Sequence, residues 1–333
     1  MAPRLPSSQS CSARSGGFAC VGLMTLAGWS VCGAALADPP ASPAAFTAPV
    51  TAPVTAPDDS APIIIPPLPV ATEPQARAEA VRLAHEMARS VPRYTAYTLA
   101  VRERFVALAR QQVAAAQVVI DRPQILMVVD RNPRIQALCF VLAFPGDVPW
   151  ETLGGTPVST GQSGRKFYYI TPTGVFPNTP DRLGYRAEGT KNENGIRGIG
   201  AKGMRVWDMG WQKAVKGWRP DHETGDIRLE IHATDPDFLE RRLGRPASEG
   251  CVRIPAAMNR FMDHYGLLDA QYERAASYDG RFRALLPKDR KPSLIAGDSL
   301  VVVDSALPPP VVPLPVASGT QVPEHPDITN RGS

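Results

Sequence analysis

The chain has 333 residues, 44% of them apolar and 20% charged, which excludes a wholly disordered or collagen-like polymer. Its net charge is +4, and no Lys/Arg-rich run is interleaved with aromatic residues, so no nucleic-acid groove is expected. An acidic polymer remains a permissible partner.

Prolines crowd Pro39 to Pro74 and Pro287 to Pro326, and nearly all the aromatic residues fall between, so the core is expected there. Residues 1–37 read as a secretion signal. Arg4 and Arg14 precede the apolar stretch Phe18 to Leu36, and Ala35-Leu36-Ala37 forms a small-residue cleavage site. An uncleaved membrane anchor is the alternative, because the stretch is nearly long enough to span a bilayer. Either way the expected location is the periplasm or cell envelope. Cleavage would remove Cys11, Cys20 and Cys32, leaving only Cys139 and Cys251. Two thiols do not make a disulfide-stapled small domain. They can form one bridge, or be one buried and one reactive cysteine.

Residues 38–72, rich in Ala, Pro and Thr, are expected to be an extended, disordered spacer. A helical period begins over residues 73–117: Ala76, Ala80, Leu83, Ala84, Met87 and Ala88 share a face, Pro92 interrupts, and Tyr97 to Ala116 resumes. Two helices packed together are expected. A catalytic domain is then placed at residues 120–305. Gln124–Val129 and Ala137–Leu142 read as a hairpin around Asp130 to Pro133, and further strands are expected at Lys166–Thr171, Met204–Met209, Ile227–His232 and Ser299–Asp304. Asp235-Pro236 has the form of an N-cap and first helical residue with Gly244 past the end, and a second helix is expected from Pro255 through Tyr265. Residues 306–333 return to a Pro-rich composition expected to be disordered. The fold class is therefore mixed α/β, mostly β and sandwich-like, with an N-terminal helical segment.

The residues most suggestive of chemistry are Ile231-His232-Ala-Thr at a strand end and Ala247-Ser248-Glu249-Gly250-Cys251-Val252-Arg253-Ile254 before a helix. A free thiol ionises near pH ~8.5, so a nucleophilic Cys needs a base or a local positive charge. His232 supplies the one and Arg253 the other. Gly250 permits close backbone approach, and the amides of Gly250 and Cys251 are placed to serve a developing oxyanion. The plain alternative is a core thiol and an unrelated imidazole.

The stretch from Gln124 to about Asp304 resembles the L,D-transpeptidase catalytic domain, or YkuD domain. That family's signature is a His, a short interval, then Ser/Thr-His-Gly-Cys, an apolar residue and usually Arg or Asn. Here the interval Ala233 to Ala247 is fifteen residues, and after it come Ser248, Gly250, Cys251, Val252 and Arg253. Pro157-Val-Ser-Thr-Gly161, Thr171-Pro-Thr-Gly-Val-Phe176 and Gly198-Ile-Gly200 also resemble the family. One position departs: Glu249 stands where the family usually has histidine, and a carboxylate there disfavours thiolate unless Arg253 or protonated His232 offsets it.

The resemblance implies a YkuD-type β-sandwich-like domain in which Cys251 attacks a donor peptidoglycan stem tetrapeptide, His232 is the base, and Ser248, Glu249, Gly250 and Arg253 position substrate or oxyanion. It implies a thioester resolved by a second stem peptide as a 3→3 cross-link or by a wall-anchored protein. Resolution by water would make a carboxypeptidase or amidase. A non-catalytic peptidoglycan-binding module, with Glu249 marking a decayed site, is the rival outside enzymes.

Gly198-Ile-Gly-Ala-Lys-Gly203 matches a dinucleotide fingerprint in form, but no helical pattern comes after it, so no nucleotide is expected. The loop instead suits the wall of a cleft. Trp207 reads as core, Trp211 and Trp218 as core or substrate contacts, and Tyr168 and Tyr169 as opposite faces of a strand, so that only one faces a site. Trp211 and Tyr168 are the substrate-binding candidates. His85, His222, His264 and His325 show no metal-ligand spacing, and neither metal nor other cofactor is expected.

Overall fold

The computed structural model describes residues 65–312. The expected signal segment and most of the two Pro-rich segments lie outside the described residues. Among those described, strands outnumber α-helices nine to five, in two sheets.

The first helix, α1 (Glu73–Ser90), starts at a capping box in which Thr72 and Gln75 satisfy each other's backbone N–H groups. Its buried stripe is Ala76, Ala80, Leu83 and Met87, while Ala84 is half-buried and Ala88 exposed. The second, α2 (Leu99–Ala115), buries Phe105, Ala109 and Val113 at helical spacing.

The two helices do not pack on each other as expected. They cover opposite faces of a five-stranded sheet ordered β3-β2-β1-β9-β4: β1 (Gln124–Asp130), β2 (Ala137–Ala143), β3 (Glu151–Pro157), β4 (Gly174–Pro177) and β9 (Ser299–Val303). In β1, Ile125, Met127 and Val129 join the cluster containing α1, and Leu126 and Val128 join the one containing α2. That division explains why β1 and β2 are continuous apolar runs: a strand buried on both faces cannot alternate. The expected hairpin is antiparallel, with Gln124 opposite Ala143 and Asp130 opposite Ala137.

A second sheet, ordered β5-β6-β7-β8, contains β5 (Tyr185–Arg186), β6 (Arg205–Val215), β7 (Thr224–Ala233) and β8 (Val252–Ile254). One face of it, carrying Trp207, Met209, Leu229, Ile231, Val252 and Ile254, joins the same core cluster as α1 and the first sheet. The other face carries Arg228, Glu230 and His232, because side chains alternate along β7. Trp207 is fully buried, as expected of a core residue.

Two expected elements differ. Lys166–Thr171 is a loop, not a strand: Tyr168 N–H closes a turn on Arg165 O at 3.1 Å, Phe167 is left-handed at φ +68°, and only Tyr169 makes a bridge, to Lys216. Asp235 does cap, accepting from the amides of Asp237 (2.8 Å) and Phe238 (3.0 Å), but the chain beyond it forms a 3-10 turn at Glu240–Arg242 instead of an α-helix. Gly244 still ends that turn in the left-handed region, at φ +100°. The helix expected near Pro255 is α3 (Ala256–Tyr265), and after it come α4 (Ala270–Ala275) and α5 (Gly280–Leu285). No helix of the described residues is long and apolar enough to cross a membrane.

Candidate active site

β7 and β8 run parallel, with Ile231 opposite Val252 and His232 opposite Arg253. Side-chain alternation therefore puts Arg253 on the face that carries Glu230 and His232, with Cys251 one residue before β8. The turn Ser248-Glu249-Gly250-Cys251 brings the Cys251 thiol to the edge of β7. The buried Ser248 hydroxyl donates to Cys251 O at 2.6 Å and accepts from Gly250 N–H at 3.2 Å. Thr171 locks the turn from outside, donating to Gly250 O at 2.6 Å while accepting from Gly161 N–H at 2.8 Å. Gly250 has φ +138°, and a Cβ there would sit 2.9 Å from Ile227 Cδ1, so glycine is needed for both reasons.

The half-buried Cys251 thiol donates to Arg228 O at 3.6 Å. The thiol thus occupies the place of a further rung beyond the β7–β8 ladder. Burial, and next the Glu230 carboxylate, push it up to about 12, and Arg253 opposes them too weakly to win. Arg253 itself is tied to Ala247 O at 3.1 Å, and burial lowers its own pKa.

His232 is 3% exposed, and burial reinforced by the Arg253 charge lowers it to about 4. Its Nδ1 lies 2.7 Å from Ala233 O. A carbonyl oxygen only accepts, so Nδ1 carries the proton and Nε2 is left as the free base. No hydrogen bond joins the thiol to the imidazole; the thiol's partner is Arg228 O. Thiol and imidazole are each held neutral, so no ion pair is preformed between them.

The sequence-based candidates fare unequally. Cys251, His232, Ser248, Gly250 and Arg253 come together. The Gly250 amide, expected to face an oxyanion, is instead engaged by Ser248 inside the turn. Glu249 is exposed, and its backbone oxygen accepts from Tyr169 N–H at 3.1 Å. The carboxylate that weighs most on the thiol belongs instead to Glu230. Trp211 is 69% exposed and pairs in register with Arg228, which places it on the same face of the sheet. With no strand at 166–171, the opposite-face reading of Tyr168 and Tyr169 falls. Tyr169 packs edge-on against Trp218 at 5.1 Å, and Tyr168 stacks under Arg165 at 4.5 Å. The Gly198–Gly203 loop approaches the strand end beyond His232, where a Cβ on Gly200 would lie 2.9 Å from Ala233 Cβ.

Glu230, Arg228, Asp208 and Tyr185 complete the face. The Arg228 guanidinium is bound by the buried Asp208 carboxylate, with Nε 2.9 Å from Oδ2, and Tyr185 Oη donates to Glu230 Oε1 at 3.0 Å. Cys139 is fully buried under α2; both cysteines are free, so the bridge considered from sequence does not form. Among the described residues no group of His, Cys, Asp and Glu is arranged to hold a metal ion.

No family model matches the sequence. A search of curated proteins likewise finds no match.

Proposed function

We propose that this chain is an exported cysteine acyltransferase of the L,D-transpeptidase type, with a YkuD-like sandwich domain, acting on peptidoglycan stem peptides. The observation that carries the reading is the seating of Cys251. A Gly-Cys turn at φ +138° aims a thiol along the edge of β7, the strand that carries an imidazole whose Nε2 is unprotonated. A structural cysteine needs none of these features, as Cys139 illustrates.

In this reading the Cys251 sulfur attacks the carbonyl of the residue preceding the terminal D-Ala of a tetrapeptide. His232 Nε2 takes the thiol proton as the S–C bond forms, then hands it to the departing D-Ala amine as the C–N bond breaks. Cys251 N–H stabilises the tetrahedral oxyanion. Because thiol and imidazole both rest neutral, proton removal is coupled to attack. The thioester then passes to an amine, giving a 3→3 cross-link or attachment of a wall protein.

Mass spectrometry of the mature protein mixed with tetrapeptide muropeptides tests this, with Cys251→Ala alongside. Cysteine-dependent loss of D-Ala with dimer formation supports a transferase, and cysteine-dependent tripeptide alone supports the hydrolase. Identical traces from both proteins would refute covalent catalysis.

A further inference from the structure

Glu230 has no ion-pair partner among the described residues, although both charged neighbours do: Arg228 and Asp208 are bound to each other. It is half-buried, it lies two residues beyond the carbonyl that holds the Cys251 thiol, and its side chain is held by Tyr185 Oη at 3.0 Å. Tyr185 also lines a cavity of about 370 Å³ together with Glu188, Thr190, Ile199 and Gly200. Arg186, on the same cavity, is committed to Asp263 at 2.8 Å, while Glu188 has no ion-pair partner among the described residues.

A partly desolvated carboxylate left unpaired next to a nucleophile is costly unless a cation arrives to pair with it. The cation that the second half-reaction must bring is the acceptor's ammonium. We propose that Glu230, held by Tyr185, binds the acceptor ammonium and removes its proton, making Glu230 the base of the transfer step. This rests on the transferase reading above.

Each proton has a destination. R–NH3+ gives one proton to the Glu230 carboxylate. The free amine adds to the thioester carbonyl, and its second proton passes through His232 to the leaving Cys251 sulfur. The C–S bond breaks, the amide remains, and Glu230 releases its proton to solvent. Burial supports the role by raising the Glu230 pKa above the usual carboxylate range, which brings it nearer to a useful base.

Glu230→Gln should therefore act on the two half-reactions in opposite directions. Removing the negative charge eases thiolate formation, so acylation of Cys251 by tetrapeptide, read by quenched intact mass, should run at least as fast as in the wild type. Aminolysis of that thioester by a second tetrapeptide should slow by about 10²-fold, with a raised acceptor KM. Glu230→Asp should recover part of the transfer rate, and Tyr185→Phe should raise the acceptor KM. A Glu230→Gln protein that acylates and transfers at wild-type rates overturns the proposal, and so does one whose acylation is lost while Glu230→Asp acylates normally. Should the wild type take no acyl group at all, the transferase reading falls and this inference with it.

Discussion

The Cys251 thiol is bonded to the carbonyl oxygen of Arg228, 3.6 Å away on the open edge of β7. A backbone acceptor on a paired strand fixes the sulfur more firmly than a mobile side chain would. Cys251→Ala removes this contact without disturbing the ladder of β7 with β8. It should abolish every acyl adduct while changing stability by no more than about 1 kcal/mol in urea unfolding. A residual adduct on the alanine variant would place the nucleophile elsewhere.

The same seating keeps the thiol protonated. With its pKa pushed up to about 12 by burial, Glu230 and more weakly Glu249, and only partly opposed by Arg253, Cys251 should label slowly with iodoacetamide at neutral pH. The expected rate is at least about ten-fold below that of the unfolded chain, climbing steeply in alkaline solution. Glu230→Gln should move that climb to lower pH. Labelling faster than the unfolded chain at neutral pH would show a preformed thiolate and contradict the neutral pair.

His232 is lowered from 6.5 to about 4 by burial and Arg253, so below about pH 6.5 the unfolded chain binds a proton that the folded chain refuses. Stability must then fall as pH drops through that window, by up to about 3 kcal/mol for this group. His232→Gln should be less stable than the wild type at neutral pH, and the gap should narrow toward pH 4 in chemical denaturation. A gap independent of pH would mean that His232 is not held neutral.

Gly250→Ala forces a side chain into a left-handed backbone position at φ +138° and toward Ile227 Cδ1. A cost of about 1–3 kcal/mol is expected, together with loss of acylation as the turn shifts the sulfur. Ile227→Val in the same chain relieves the contact but not the backbone, so it should restore little of either. Full recovery would show that crowding, and not backbone conformation, selects glycine there.

Much of the fold was legible where burial imposes a period. The Ala76, Ala80, Leu83, Met87 stripe marked α1, and the unbroken apolar runs of β1 and β2 marked strands covered on both sides. A stripe says that a face is buried but not against what, so the placement of α1 and α2 on opposite faces was hidden. β5 and β8 are two and three residues long, too short for any period to show. Lys166–Thr171 misled because a run of aromatic residues followed by Ile170 imitates a strand even when a left-handed Phe167 breaks it. At the site, His232 and Cys251 stood out as a strand end and a Gly-Cys turn. Glu230 did not, because Arg-Leu-Glu-Ile-His reads as a strand with a solvated outer face, and only the return of the chain at Cys251 half-covers that face.

In the proposed reaction Cys251 carries an acyl group from stem peptide to acceptor. Incubation of tetrapeptide muropeptides with the mature protein, then mass spectrometry beside Cys251→Ala, tests it most directly. The wild type alone should give 3→3 linked dimers and released D-Ala. Unchanged tetrapeptide with both proteins, and no acyl adduct on Cys251, would contradict the claim.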